Sequence, residues 1–180
     1  MKVDWIRIHY DWTYVILNRF INQIPCWTIR RYFYKKYKMK LKPDSRIGIG
    51  TIVLNPKKIS LGTRSVVNEN CFLDGRGGLQ IGRDTSISAY TRIISASHKM
   101  NSGNFQYFER KTVIGNHVWI GTGATILDGA QIKDYSVIGA GAVLKGIVGR
   151  QEVFAGNPAK RIKKRKNMED YHLKYKAYFR

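Results

Sequence analysis

Aliphatic residues recur along the middle of the chain at a spacing of six. From Leu41 the positions read Leu41, Ile47 and Val53; two residues are skipped, and Leu61, Val67 and Leu73 follow; two more are skipped before Ile81, Ile87 and Ile93. After a break the pattern resumes at Ile114 and runs through Ile120, Ile126, Ile132 and Ile138 to Leu144. All fifteen are Leu, Ile or Val, although only 41 of the 180 residues are. The residue four places further on is usually small, as at Ser45, Thr51, Ser65, Cys71, Thr85, Thr91, Ala124, Ala130, Ser136 and Ala142. A period of six fits neither a helix of 3.6 residues per turn nor an ordinary hairpin meander. It predicts short strands that turn a corner every six residues, with the aliphatic residue inside and the small one at the corner. Three such hexads close one triangular coil, and stacked coils bury a continuous core that no single coil could bury. Five coils are predicted, at 41–60, 61–80, 81–98, 114–131 and 132–149, so the fold class is all-β. One loop, 99–113, leaves this scaffold.

The two ends follow a different period. Trp12, Val15, Ile16, Phe20 and Ile21 fall near one side of a helix predicted over Asp11–Gln23, which Pro25 breaks. A second helix is predicted over Cys26–Tyr37, where aromatic residues alternate with Arg30, Arg31, Lys35 and Lys36. Near the C-terminus Asn167 suits an N-cap, and Met168, Tyr171, Tyr175 and Tyr178 recur at helical spacing, which predicts a C-terminal helix. The chain thus divides into a basic, aromatic helical extension (1–40), the repeat with its loop (41–149) and a basic tail (150–180).

Charge sharpens that division. Lys and Arg number 32 against 12 Asp and Glu, a net charge of +20. Residues 1–40 and 160–180 each carry nine basic and two acidic side chains, so the excess sits in the ends. Such ends favour an anionic partner: a phosphorylated ligand, an anionic membrane face or nucleic acid. No nucleic-acid recognition motif accompanies the charge, so no nucleic acid is expected. Mean hydropathy is −0.34, and no apolar run approaches the roughly 20 residues of a membrane span. Cys26 and Cys71 stand far apart, which excludes a disulfide scaffold and suits a reducing cytoplasm. The repeat contains two histidines, His98 and His117, too few for a three-ligand zinc centre, and no metal is expected.

His98 is the histidine at the break, where a loop leaves a rigid scaffold. An imidazole in that place suits a base that takes a proton from a hydroxyl. Together with the hexads, the stretch Val113-Ile114-Gly115-Asn116-His117-Val118-Trp119-Ile120-Gly121 and the ending Ala155-Gly156-Asn157-Pro158-Ala159-Lys160 resemble the hexapeptide-repeat acyltransferases. Within them the chain is similar to the maltose/galactoside and exopolysaccharide (colanic-acid-type) O-acetyltransferases. The resemblance implies a left-handed parallel β-helix, a hand opposite to the usual crossover. It also implies a homotrimer with active sites between subunits. It casts His98 as catalytic base. Asn68, Asp74 and Trp119 become candidates for the carbohydrate acceptor, and Thr122, Ala140, Lys160 and Lys163 for acetyl-CoA. Asn68 and Asp74, about one coil before His98, are expected at the same edge of the prism, and Trp119 in the next coil near the histidine. The implied function is acetyl transfer from acetyl-CoA to a sugar hydroxyl of a polysaccharide or lipid-linked glycan precursor. The alternatives are an amino-sugar or xenobiotic acceptor, or a non-catalytic protein that binds an anionic membrane through its basic aromatic ends.

Overall fold

The six-residue period folds as a parallel β-solenoid with three faces. A computed structural model of the chain describes residues 4–166 and 170–175. The first coil consists of β1 (Lys40–Leu41), β2 (Arg46–Ile47) and β3 (Ile52–Leu54), and the second of β4 (Ile59–Leu61), β5 (Val66–Val67) and β6 (Phe72–Asp74). The third contains β7 (Leu79–Ile81), β8 (Ser86–Ile87) and β9 (Arg92–Ile93), after which β10 (Ala96–His98) and β11 (Tyr107–Glu109) leave the solenoid as a hairpin. The fourth coil is β12 (Thr112–Ile114), β13 (Trp119–Ile120) and β14 (Thr125–Ile126); the fifth is β15 (Gln131–Ile132), β16 (Val137–Ile138) and β17 (Val143–Leu144). A sixth begins with β18 (Ile147–Val148) and β19 (Glu152–Ala155), and the antiparallel strand β20 (Lys160–Lys164) closes it.

The first strand of every coil joins one sheet, the second another and the third a third, each in parallel register. All fifteen aliphatic hexad positions point inward, none more than 8% exposed. The small residues fill the corners, where Thr51, Ser65, Thr85, Ala124, Ala130 and Ala142 are fully buried. At Gly62 an added Cβ would lie 2.4 Å from the backbone of Gly82 in the coil above, so only glycine allows the coils to stack there. The solenoid has about six turns rather than five. From Leu144 to Val148, the next inward residue, is four positions instead of six, so the corner around Gly146 is two residues short and hides the sixth coil.

The N-terminal extension packs beneath the first coil. Helix α1 runs from Trp5 to Val15, starting before the expected Asp11, because Asp4 accepts a hydrogen bond from the Arg7 amide at 3.1 Å and caps it. It widens to a π-turn at Ile16–Phe20 and tightens to a 3₁₀ turn at Ile21–Gln23; α2 follows at Trp27–Lys36. The buried side chains on this segment satisfy backbone groups that the first coil leaves unpaired. Asn18 Nδ2 donates to the Val53 carbonyl at 2.9 Å while the Val53 amide donates back to Asn18 Oδ1 at 2.7 Å. Arg30 donates to the Ile47 carbonyl, and Arg31 to those of Ser45 and Lys42. The helices therefore cap the solenoid.

The expected C-terminal helix is not formed over the described part of that segment. Residues 160–164 are strand and 170–175 are irregular; Asn167, Met168 and Tyr178 lie outside the described residues. Residues 170–175 run along the corner between the first and second faces. The Tyr171 ring meets the edge of His117 in the fourth coil, the Leu173 amide donates to Asp84 in the third, and Tyr175 lies under Arg46 of the first. Four extended residues cover roughly 13 Å, close to the three coil spacings of ~4.8 Å, whereas four helical residues would cover only about 6 Å.

Candidate active site

The hairpin carrying His98 grows out of the corner between the third and first faces. Its base is fixed from the coil below. Asp74 is fully buried and accepts from the Ser95 amide at 3.0 Å, from the Arg76 amide at 2.9 Å, and from the Arg76 guanidinium through both oxygens. Burial works to raise the pKa of this carboxyl, but the Arg76 and amide hydrogen bonds outweigh it and hold it below the usual range. The Gly77 amide donates to Ser95 Oγ at 2.8 Å, and a Cβ on Gly77 would lie 2.4 Å from the Ser95 carbonyl. Asp74 thus anchors the hairpin with its lone pairs committed inside the chain. On the outgoing strand Glu109 pairs with Lys58 at 3.3 Å.

The turn between β10 and β11 positions the imidazole. Phe105 takes a left-handed φ of 50°, which turns its carbonyl toward the histidine, and its ring stacks on His98 at 3.9 Å between centroids. Tyr107 packs edge-on from the opposite strand at 5.5 Å. His98 Nδ1 lies 2.8 Å from the Phe105 carbonyl oxygen. A carbonyl only accepts, so Nδ1 carries the proton and the exposed Nε2 keeps its lone pair. The ring is set up to accept a proton at Nε2.

The remaining expected site residues divide between two other places. Asn68 does not share the His98 edge. It sits where the second face turns into the third, and its Nδ2 donates to the Ile87 carbonyl at 2.9 Å. Trp119 lies in the next coil, as expected, but on the second face, half exposed, with Nε1 donating to Ser88 Oγ at 3.2 Å. Thr122 and Ala140 are stacked above Asn68 on that second–third corner, both exposed, with the Gly141 amide donating to the Thr122 carbonyl at 2.8 Å. Between them the corner is bare backbone, an open groove within the chain: among the described residues a Cβ on Gly123 or Gly141 would meet nothing within 4 Å. Lys160 pairs with Ala155 at the groove end of β20, whereas Lys163 pairs with Val153, toward the opposite corner. A full face of about six residues, roughly 20 Å at ~3.3 Å per residue, separates the His98 corner from this groove within one chain.

Cys71 is inert in this setting. Burial pushes its thiol up to about 12, and Sγ donates to the Ser88 carbonyl at 3.3 Å. His117, at the first–second corner, is buried and stacked on Tyr135 at 4.7 Å; neither ring nitrogen has a hydrogen-bond partner among the described residues, and Nε2 lies 3.7 Å from Asp170 Oδ1. Among the described residues no group of three or more His, Cys, Asp and Glu could hold a metal ion.

Six-residue repeats wound into three parallel sheets define a hexapeptide-repeat solenoid, and the resemblance to the hexapeptide-repeat acyltransferases is borne out by comparison with known proteins. Residues 111–146 match the family model described as bacterial transferase hexapeptide (six repeats). WbbJ of Escherichia coli K12, named as a lipopolysaccharide biosynthesis O-acetyl transferase, is 34% identical over 110 residues, covering 54% of this chain and 56% of WbbJ. The chain therefore spans little more than half the length of that relative. WcaF of the same organism, named as a colanic acid biosynthesis acetyltransferase, is 26% identical over 140 residues, 78% of this chain and 77% of WcaF. A hexapeptide-repeat containing acetyltransferase from Vibrio cholerae O1 biovar eltor, solved with acetyl coenzyme A, superposes with a TM-score of 0.82 over 92% of both chains at 23% identity, which establishes the shared fold.

Proposed function

We propose that this protein is an acetyl-CoA-dependent O-acetyltransferase that modifies a sugar hydroxyl, in keeping with the names of WbbJ and WcaF. The observation that carries the reading is the fixed tautomer of His98: with Nδ1–H held by the Phe105 carbonyl, Nε2 is free to take a proton. Acetyl-CoA supplies an acetyl group on a good leaving thiol. His98 Nε2 removes the hydroxyl proton as that oxygen bonds to the acetyl carbon; the carbon–sulfur bond breaks, and the imidazolium returns the proton to the departing sulfur. No covalent relay is needed, and the buried Cys71 is unsuited to one.

The second–third groove, with Thr122 and Ala140 along it and Lys160 at its end, suits the pantetheine and phosphates of the donor. One chain holds base and groove a face apart, so the working unit is a homotrimer in which His98 of one subunit meets the groove of the next. Asn68 and Trp119 would then contact the acceptor from the groove side, and Asp74 would position the hairpin. The cytoplasm is where such a donor would be met. The exposed Trp5, Ile6, Trp12 and Phe20, with Arg7 and Arg19 on the same segment, favour contact with the inner membrane face, although no helix among the described residues is long and apolar enough to cross a membrane. The test is a panel of sugar acceptors incubated with acetyl-CoA while thiol release is followed. Acceptor-dependent release that His98→Ala abolishes is expected. Release that is independent of acceptor, or unchanged by the substitution, would overturn the reading.

A further inference from the structure

A cavity of about 680 Å³ opens between α1 and the lower coils, at the same third–first corner that carries the His98 hairpin. It is lined by Tyr10 and Tyr14 of α1, by Lys36 and Lys38 at the end of α2, and by Lys57 and Arg76 from the corners of the first and second coils. Its charge is one-sided. Asp11 is the carboxylate on its wall, and among the described residues no carboxylate lies within ion-pair distance of Lys36, Lys38 or Lys57. The Lys57 ammonium sits over the Tyr10 ring at 5.8 Å, and Arg76, tied to Asp74 through Nε and Nη2, has Nη1 outside that pair. The walls formed by Tyr10 and Tyr14 are aromatic, and Lys36, Lys38 and Lys57 line them against a single wall carboxylate, Asp11, while Arg76 shares its charge with Asp74.

The cavity also points at the catalytic hairpin. Lys57, Arg76 and the hairpin succeed one another up one corner, one coil apart each, so about 10 Å separates the level of Lys57 from that of His98. On the α1 wall, burial and then the negative charge of Glu109 on β11 shift the Tyr10 hydroxyl up. Asn18 fixes this wall, because the two hydrogen bonds it exchanges with Val53 clamp the segment following α1 to β3 at the cavity floor.

We infer that this cavity binds the phosphate-bearing end of the acceptor, so that the acceptor is a sugar carried on a diphosphate ester rather than a neutral free sugar. Lys38, Lys57 and Arg76 meet the diphosphate, Tyr10 and Tyr14 flank the adjoining group, and the sugar reaches up the corner to His98 Nε2. Lysine is adequate here because phosphate needs positive charge more than a fixed fork. This assignment rests on the proposed acetyl transfer and narrows its substrate class. A diphosphate ester can come from a soluble nucleotide sugar or from a sugar on a polyprenyl carrier, and both present the same group to the cavity.

The test is calorimetric titration of the full chain with coenzyme A already saturating, so that the donor groove is occupied. The probes are inorganic pyrophosphate, UDP-glucose and free glucose. Pyrophosphate and UDP-glucose should bind at least tenfold more tightly than glucose. The double variant Lys38→Glu/Lys57→Glu should lose that binding by tenfold or more, with the loss shrinking as salt is raised. Lys57→Met, a neutral change at an exposed position, should lose part of it, and thermal melting of both variants checks that they fold. Vesicles bearing a polyprenyl diphosphate glucose form a second arm; tighter binding there than to UDP-glucose assigns the lipid carrier, and the reverse assigns the nucleotide. Wild-type binding of pyrophosphate no tighter than glucose, or equal binding by folded variants, would overturn the inference. Acetylation of neutral sugars without pyrophosphate binding would overturn it too while leaving the transferase reading intact. Pyrophosphate binding with no acetyl transfer to any acceptor would instead overturn the transferase reading and, with it, the assignment of the bound diphosphate to an acceptor, leaving only the diphosphate site.

Discussion

His98 and Phe105 form a closed unit in which the Phe105 carbonyl oxygen lies 2.8 Å from Nδ1 while its ring covers the imidazole at 3.9 Å. One residue therefore sets both the tautomer of the base and the plane of its ring. His98→Ala should lower turnover by roughly 10²–10⁴, the range of a general base, with coenzyme A affinity unchanged. Phe105→Ala keeps the carbonyl but removes the stack, so its loss in turnover should fall between wild type and His98→Ala. Steady-state kinetics on both variants decides; Phe105→Ala at wild-type rate would mean that the stack does not hold the ring.

The separation of His98 from the groove leads to a complementation experiment. Ala140→Trp should fill the groove and inactivate the protein, as His98→Ala does by removing the base. When equal amounts of the two are unfolded together and reassembled, a site needs a base from one variant and an open groove from the other. Random mixing then restores activity at up to about one quarter of the sites. Activity that stays at the level of the separate variants would show that each chain builds its site alone.

Lys160 and Lys163 should differ, although the sequence treats them alike. Lys160→Glu, at the groove end of β20, should raise KM for acetyl-CoA several-fold and leave kcat at saturation nearly unchanged, because contacts to a remote phosphate act equally on ground state and transition state. Lys163→Glu should have a smaller effect. Equal effects, or a fall in kcat alone, would contradict this placement of the donor.

His117 should make the C-terminal segment acid-sensitive. Burial lowers its pKa, opposed by the charges of Asp84 and Asp170, with Arg83 adding to the lowering and Asp134 opposing it. A histidine that is harder to protonate folded than unfolded stabilises the fold less as protons are added. The packing is intact above about 6.5, the ordinary histidine value, and weakens as pH falls below it. Tyr171 is seated on this ring and donates to the His117 carbonyl at 3.1 Å, so the protection of the Tyr171 and Leu173 amides, measured against the intrinsic exchange rate at each pH, should fall below that pH. His117→Phe should flatten the dependence. Protection independent of pH in wild type would refute it.

Much of the fold was legible because a buried position tolerates few residue types. From Leu41 to Leu144 every inward position is Leu, Ile or Val, and the register follows from those fifteen residues. The sixth coil was hidden because its entry, Val148, is out of phase by two. The C-terminal helix was misread because Tyr171 and Tyr175 recur to meet coils of the solenoid rather than the face of a helix. His98 was legible from the break it borders. Trp119 and Asn68 were assigned to its neighbourhood because distance along a repeat gives the coil but not the face. The tautomer of His98 was beyond reach, since it depends on the backbone carbonyl of a residue in a turn.

The Asn18–Val53 exchange has a counterpart at the far end, where β20 runs antiparallel on the second face and the Val143 amide donates to the Gly156 carbonyl on the third. A parallel solenoid is a template for its own extension, and a copy arriving end-on would add coils without limit. Here two of the three faces at each end already hold backbone or side chains of the wrong direction for that growth. Filament formation is blocked by geometry rather than by charge, and high salt that screens the surplus lysines should leave the protein dispersed.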